Sequence, residues 1–141
     1  MKAIDPELMK ERSQVLEKHL RRIEEALPKD GAEFQPGTDA ADAVALHLLF
    51  GVQIVLDLSI FACIHFGLQA PASYDDAIAR LAHDGQIGEQ LSQRLERVAT
   101  FRDAFVHAYD DLDPGSIHRA AKVLPEDLRA FMVDISDQLA R

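Results

Sequence analysis

One cysteine, no tryptophan, two tyrosines and few basic residues mark this 141-residue chain. With Cys63 as its one thiol it forms no internal disulfide and no cysteine-rich zinc cluster. Cys63 lies in an apolar run and is read as a small buried side chain, not a reactive thiol. There is no Gly-rich phosphate loop, no internal repeat, no low-complexity tract and no segment with the alternation of a strand. Fifteen Lys and Arg face 24 Asp and Glu, a formal net charge of −9. That balance excludes a free-standing, sequence-blind nucleic-acid binder, but leaves room for a local basic site. The N-terminal stretch MKAIDPELMKERSQ lacks the apolar core of a signal peptide, so cytoplasm is the expected compartment.

Apolar residues make up 48% of the chain and charged residues 28%. This suits a single helical domain over residues 1–141 with a true core. The first helix is expected over Pro6–Ala26, with Asp5 as N-cap, Pro6 at the first helical position and Pro28 stopping it. Its apolar stripe is Leu8, Met9, Val15, Leu16, Leu20, Ile23 and Leu27. Residues 28–37, PKDGAEFQPG, form a loop full of breakers. A second helix follows from the N-cap Thr38 to about Phe66, closed by Gly67. It is apolar nearly all round, with Asp57 its one acid between Val44 and Gly67. Its length permits a membrane span. However, His47, Gln53, Asp57 and His65 interrupt it and no basic flank marks a cytoplasmic side. It is better read as the central helix of a bundle, covered by neighbours and by a second subunit.

Residues 67–72 connect to a short helix capped by Ser73, with Asp76 three positions on, Ile78 and Leu81 buried, and Gly85 ending it. The next long helix is expected from about Gly88 to Tyr109. Its core stripe is Leu91, Leu95, Val98, Phe101 and Phe105, with Val106 at the margin. Arg94, Arg97 and Arg102 give it a local basic cluster. Arg94 and Arg97 are read as a solvated face paired with Glu96 or Glu89. Asp113-Pro114 starts a short helix to about Lys122, and Pro125 opens a last one with Leu128, Phe131, Met132 and Ile135 inward. The expected fold is all-α: an up-and-down bundle of two long antiparallel helices and shorter packing helices, forming a homodimer.

Six histidines invite a metal, but His19, His47, His65, His83, His107 and His118 make no His-x-x-x-His pair and no H-E-x-x-H. No metal and no cofactor are expected. His47 and His65 are read as core or interface residues. No Ser or Cys nucleophile with a nearby base is visible. The chemistry gathers instead in Phe101–Tyr109, FRDAFVHAY. Arginine binds phosphate through a planar fork and stays charged, and histidine passes protons near neutral pH. Together they suit metal-free RNA cleavage, in which a 2′-hydroxyl attacks the adjacent phosphate. On a regular helix Tyr109 falls almost on the face of Arg102, while His107 sits about 140° round. If Arg102 and His107 act together, the helix end unwinds near His107 or a second copy supplies the missing group.

The run FRDAFVHAY, followed by Asp110-Asp111-Leu112-Asp113, resembles the FRN-x-x-VH-x-Y signature of HepT-like proteins of the HEPN superfamily. Gln53 and Asp57, the segment Ala70–Tyr74, Leu81 and Gly85-Gln86-Ile87 extend the similarity over residues 40–135. The resemblance implies a helical bundle that dimerises, with the motif lining a cleft between subunits. It implies a toxin of a two-gene toxin–antitoxin module acting as a metal-independent endoribonuclease. It also implies a minimal nucleotidyltransferase (MNT) antitoxin that transfers AMP from ATP to the motif tyrosine. Carried over, Arg102 and His107 are the catalytic pair and Tyr109 the AMPylated hydroxyl. The sequence departs at Asp103, where the family usually has Asn; an acid there either pairs with Arg102 or repels phosphate. Asp57 is a possible internal partner for Arg102 or His107. The competing readings are a non-catalytic HEPN subunit that binds substrate for a partner nucleotidyltransferase, and a structural helical adaptor.

Overall fold

Among the described residues five α-helices form: α1 (Pro6–Ala26), α2 (Asp39–His65), α3 (Tyr74–His83), α4 (Glu89–Ala108) and α5 (Pro114–Leu139). A computed structural model describes residues 4–35 and 37–141. Met1–Ala3, part of the stretch tested for a signal peptide, and Pro36 of the breaker-rich loop lie outside the described residues. Two short 3₁₀ turns, Gly31–Glu33 and Tyr109–Asp111, complete the regular structure.

The helix starts follow local hydrogen-bond chemistry. Asp5 Oδ1 accepts from Leu8 N at 2.7 Å, Thr38 Oγ1 from Ala41 N at 3.2 Å and Ser73 Oγ from Asp76 N at 3.1 Å. Each satisfies one of the amide donors that a first turn leaves free. Asp76 departs from a capping box: its Oδ2 accepts from Ala72 N at 2.9 Å, not from the cap residue itself. Gly67 ends α2 at φ +75°, with Gly67 N bonded to Ile64 O and Leu68 N to Cys63 O. These are the two bonds of a Schellman close, which favours glycine because of the positive φ.

Helix α2 is the centre, packed by α1, α3, α4 and α5. Ile4 N reaches His65 Nδ1 at 3.5 Å and His19 Nδ1 reaches His47 Nδ1 at 2.9 Å, so α1 runs antiparallel to α2. The most apolar stretch of α2 has a mean hydropathy of 2.0 and is long enough to cross a membrane; 56% of it is buried inside the protein. Burial on several sides accounts for a helix that is apolar nearly all round. Cys63 is fully buried, its thiol donating to Ala77 O, and burial pushes that thiol above its ordinary pKa.

The C-terminal part differs from expectation. The two short helices around Pro125 are one continuous helix, α5, so the bundle has four long helices and one short one. Proline inside a helix removes a backbone donor and costs about 3 kcal/mol. Here Ile117, Ala121, Leu124, Leu128, Phe131 and Ile135 are all buried, and their spacing stays in phase across Pro125. Burial of each large apolar side chain contributes about 1.5–3 kcal/mol, so the continuous stripe outweighs the proline. Two further expectations fail in detail. Val106 is 46% exposed and stands outside the core stripe. Arg94 donates to Asp127 Oδ1 on α5 at 2.8 Å, so it ties two helices together and does not pair with Glu96 or Glu89.

Candidate active site

The constellation is built from three elements. Helix α2 supplies Gln53 and Asp57 one turn apart, α3 opens with Tyr74, and α4 carries Arg102, Asp103 and His107. Gln53 and Asp57 are polar insertions in an apolar helix, and partly buried polar groups need partners. They find them in each other and in Tyr74. Gln53 Nε2 donates to Asp57 Oδ1 at 2.8 Å and to the Tyr74 hydroxyl at 2.7 Å. The Tyr74 hydroxyl donates in turn to Asp57 Oδ1 at 3.0 Å. Burial pushes the Tyr74 phenol above its ordinary pKa; the bond to Asp57 adds to this, while Gln53 and the charge of Arg102 oppose it.

Arg102 leans on this group. Its Nε donates to Gln53 Oε1 at 3.2 Å, and its guanidinium carbon lies 5.3 Å from the centre of the Tyr74 ring. Such a separation supports a cation–π contact. Its Nη1 donates to Asp103 Oδ1 at 3.3 Å. Of the two behaviours expected of Asp103, the structure therefore has the pairing. The Arg102 side chain is 24% exposed, and among the described residues Nη2 has no partner. A guanidinium N–H left without a partner can donate a charge-assisted hydrogen bond to a phosphate oxygen.

His107 is exposed, and no hydrogen bond, ring contact or ion pair holds it among the described residues. Helix α4 stays regular through His107, so it does not unwind before that residue. The chain changes one residue later, at Ala108 φ −143°, ψ 36°, and Tyr109 opens the following 3₁₀ turn. Tyr109 therefore leaves the helical face on which a regular wheel puts it together with Arg102. Its ring packs 4.8 Å from that of Phe105 and lines a hollow with Phe34, Ala41, Asp42 and Leu112. It shares no partner with Arg102.

Asp57 is a partner of neither Arg102 nor His107; its carboxylate takes Gln53 and Tyr74, and Gln53 stands between it and Arg102. Gln53 and Tyr74 are the residues that motif reasoning passed over, beyond their place in a family likeness. The signal for them was Gln53 and Asp57 at i and i+4 in a helix otherwise without partners for them. His47 is half-buried and meets His19 beside Phe50, and His65 is half-buried against Phe66. Among the described residues no three His, Cys, Asp or Glu side chains gather at one point.

Comparison with known proteins bears on the family and the fold. A family model described as Ribonuclease HepT-like matches residues 16–135. A search of curated protein sequences finds no match. Solved structures similar in fold include the following three. One is a toxin–antitoxin complex with AMP-PNP, at 22% identity and a TM-score of 0.81, covering 92% of this chain and 97% of that one. Another is the tri-AMPylated HEPN toxin of Shewanella oneidensis in complex with an MNT antitoxin, at 22% identity and 0.83, covering 95% and 99%. The third is YutE of Bacillus subtilis, a cytosolic protein of unknown function, at 20% identity and 0.81, covering 99% and 93%.

Proposed function

The chain belongs to the HepT-like ribonuclease family, and from that premise we propose that it is a HEPN toxin that cuts RNA without a metal. Arg102 neutralises the charge that grows on the phosphate and His107 moves the proton of the attacking 2′-hydroxyl or of the leaving oxygen. The observation that carries this reading is that both groups reach solvent, Arg102 held in place with its Nη2 unengaged and His107 open. A cleft between two copies reconciles their positions about 140° apart on one regular helix, since each copy then faces the other's motif. A homodimer is further supported by α2, which exposes Leu46, Phe50, Phe61 and Ile64 at the spacing of one helical stripe.

The partner in this reading is an MNT antitoxin that transfers AMP from ATP to the hydroxyl of Tyr109, a residue that is 42% exposed. The Shewanella oneidensis HEPN toxin, tri-AMPylated and bound to an MNT antitoxin, supports it. The whole described chain acts as one HEPN-like domain. Purified protein with RNA and EDTA should give fragments ending in 2′,3′-cyclic phosphate, and His107→Ala should give none. Co-expression with the antitoxin should add AMP to the chain but not to Tyr109→Phe. A second reading, a non-catalytic HEPN subunit serving a nucleotidyltransferase, is favoured by the Asp103 contact, which occupies one Arg102 donor. No cleavage of several RNAs, together with tight binding of the antitoxin, would select it.

A further inference from the structure

We propose that Gln53 and Tyr74 are positioning residues for Arg102, anchored by Asp57. The kinetic consequence rests on the ribonuclease reading above; the bonding itself does not. A free arginine side chain samples many rotamers, and a catalytic cation that must be ordered during the reaction loses much of its effect. Besides the bond to Asp103, two contacts of different kinds from α2 and α3 restrain the guanidinium. Gln53 Oε1 takes the Nε hydrogen at 3.2 Å and so fixes one edge of the group. The Tyr74 ring, 5.3 Å from the guanidinium carbon, supports the group as a whole. Among the described residues Nη2 is left without a partner, free to donate a charge-assisted hydrogen bond to a phosphate oxygen.

The residue types are specific to that task. Only an amide can accept from Arg102 with one end and donate to a carboxylate and a phenol with the other. Asp57 Oδ1 receives both Gln53 Nε2 and the Tyr74 hydroxyl, so the amide cannot flip without losing donors and turning its NH₂ group toward a cation. The amide also insulates. A carboxylate in direct contact with Arg102 from the α2 side would compete with substrate phosphate for its charge; with Gln53 between them, Asp57 sets the geometry without making that contact. Glutamate at position 53 would accept from Arg102 but could not donate, and would place a second acid one turn from Asp57.

The test is a mutant cycle on the full chain. Gln53→Ala should lower kcat for RNA cleavage by about 10- to 100-fold with a much smaller change in KM. In an Arg102→Ala background the same change should cost less than about twofold more, because residues acting as a unit are not additive. Gln53→Glu should not restore kcat, and Tyr74→Phe, which keeps the ring, should lose less than Tyr74→Leu. Full activity in Gln53→Ala, or losses that simply add in the cycle, would overturn the proposal. Nuclear magnetic resonance of the Arg102 Nε–H, assigned by its disappearance in Arg102→Lys, reads the brace without catalysis. The signal should be protected from exchange in the native chain and lose at least tenfold of that protection in Gln53→Ala. If Gln53→Ala does not fold, Tyr74→Phe takes its place in both arms. A chain that cleaves no RNA but protects this hydrogen sinks the ribonuclease reading and keeps the brace. Cleavage with an unprotected hydrogen sinks the brace alone.

Discussion

Arg102 and His107 lie five residues apart on one helix, yet the protein holds them in opposite ways. Arg102 turns toward α2 and α3 and is bonded by Gln53 and Asp103 and backed by Tyr74. His107 is exposed, and among the described residues no hydrogen bond, ring contact or ion pair ties it to those helices. The difference follows from helix geometry: about 140° of rotation takes one side chain onto the bundle and the other off it. In the ribonuclease reading proposed above, a fixed cation and an open imidazole on one chain make half of a site. Its completion by a second copy, with Leu46, Phe50, Phe61 and Ile64 of α2 exposed nearby in sequence to Gln53 and Asp57, is the reading that this asymmetry supports.

The contrast can be broken most directly at its two ends. His107→Ala should lower RNA cleavage by about 10²- to 10⁴-fold, the usual worth of a general acid–base group. Its stability should stay within about 0.5 kcal/mol of the parent, as for a surface substitution without partners. Kinetics with a defined oligonucleotide, paired with urea unfolding, reads both. Arg102→Ala should damage cleavage too, but also cost about 1–2 kcal/mol of stability, because it strands the part-buried Gln53 carbonyl. Equal stability losses in the two variants would mean that the braced and the open residue are not different in kind.

Smaller effects sharpen the same contrast. Asp103→Asn removes the acid that shares Arg102 while keeping its size. Exposed ion pairs are worth about 0–1 kcal/mol, so phosphate binding should tighten by up to about fivefold at low salt, with the gain fading as salt rises. An unchanged or weakened affinity would show that Asp103 does not compete for Arg102. The smallest effect concerns a covered histidine. His19 is held below its ordinary pKa by burial first, then by His47 and by the charge of Arg12. A lowered folded value means that the unfolded chain binds the proton more readily. The contribution of His19 is therefore full above the ordinary histidine value, near ~6.5, and is lost as pH falls through the lowered folded value. His19→Gln should flatten the loss of stability over that window in urea titrations; an unchanged slope would mean that His19 does not cause it.

Where local chemistry decides, the helices were legible in the amino-acid order. Asp5-Pro6 and Ala26 bound α1 as expected, Thr38 and Gly67 frame α2, and Ser73 and Gly85 frame α3, because caps and positive-φ glycines act through bonds within a few residues. Pro125 misled for the same reason. Its ring suits a first helical turn, which is a local signal, while the apolar spacing that runs on across it is rewarded only by packing against the rest of the bundle. The site was legible as a motif, and Arg102, His107 and Tyr109 were named from it. The partner of Asp57 was not, since Tyr74 is 17 residues away in the chain and its hydroxyl meets Asp57 only after α3 folds back onto α2.

The order of residues alone settled that the chain is helical, where four of its five helices begin and end, and which short stretch carries a cation, an imidazole and a phenol. Caps, glycines and the 3.6-residue rhythm of apolar side chains are short-range, so they need no partner to be read. The tertiary structure decided that α5 is continuous, that Val106 is exposed, that Tyr109 leaves the face a regular wheel assigns it, and that Gln53 stands between Asp57 and Arg102. Those outcomes depend on which surfaces meet, and a side chain's partner in a bundle is set by the packing of helices far apart in sequence.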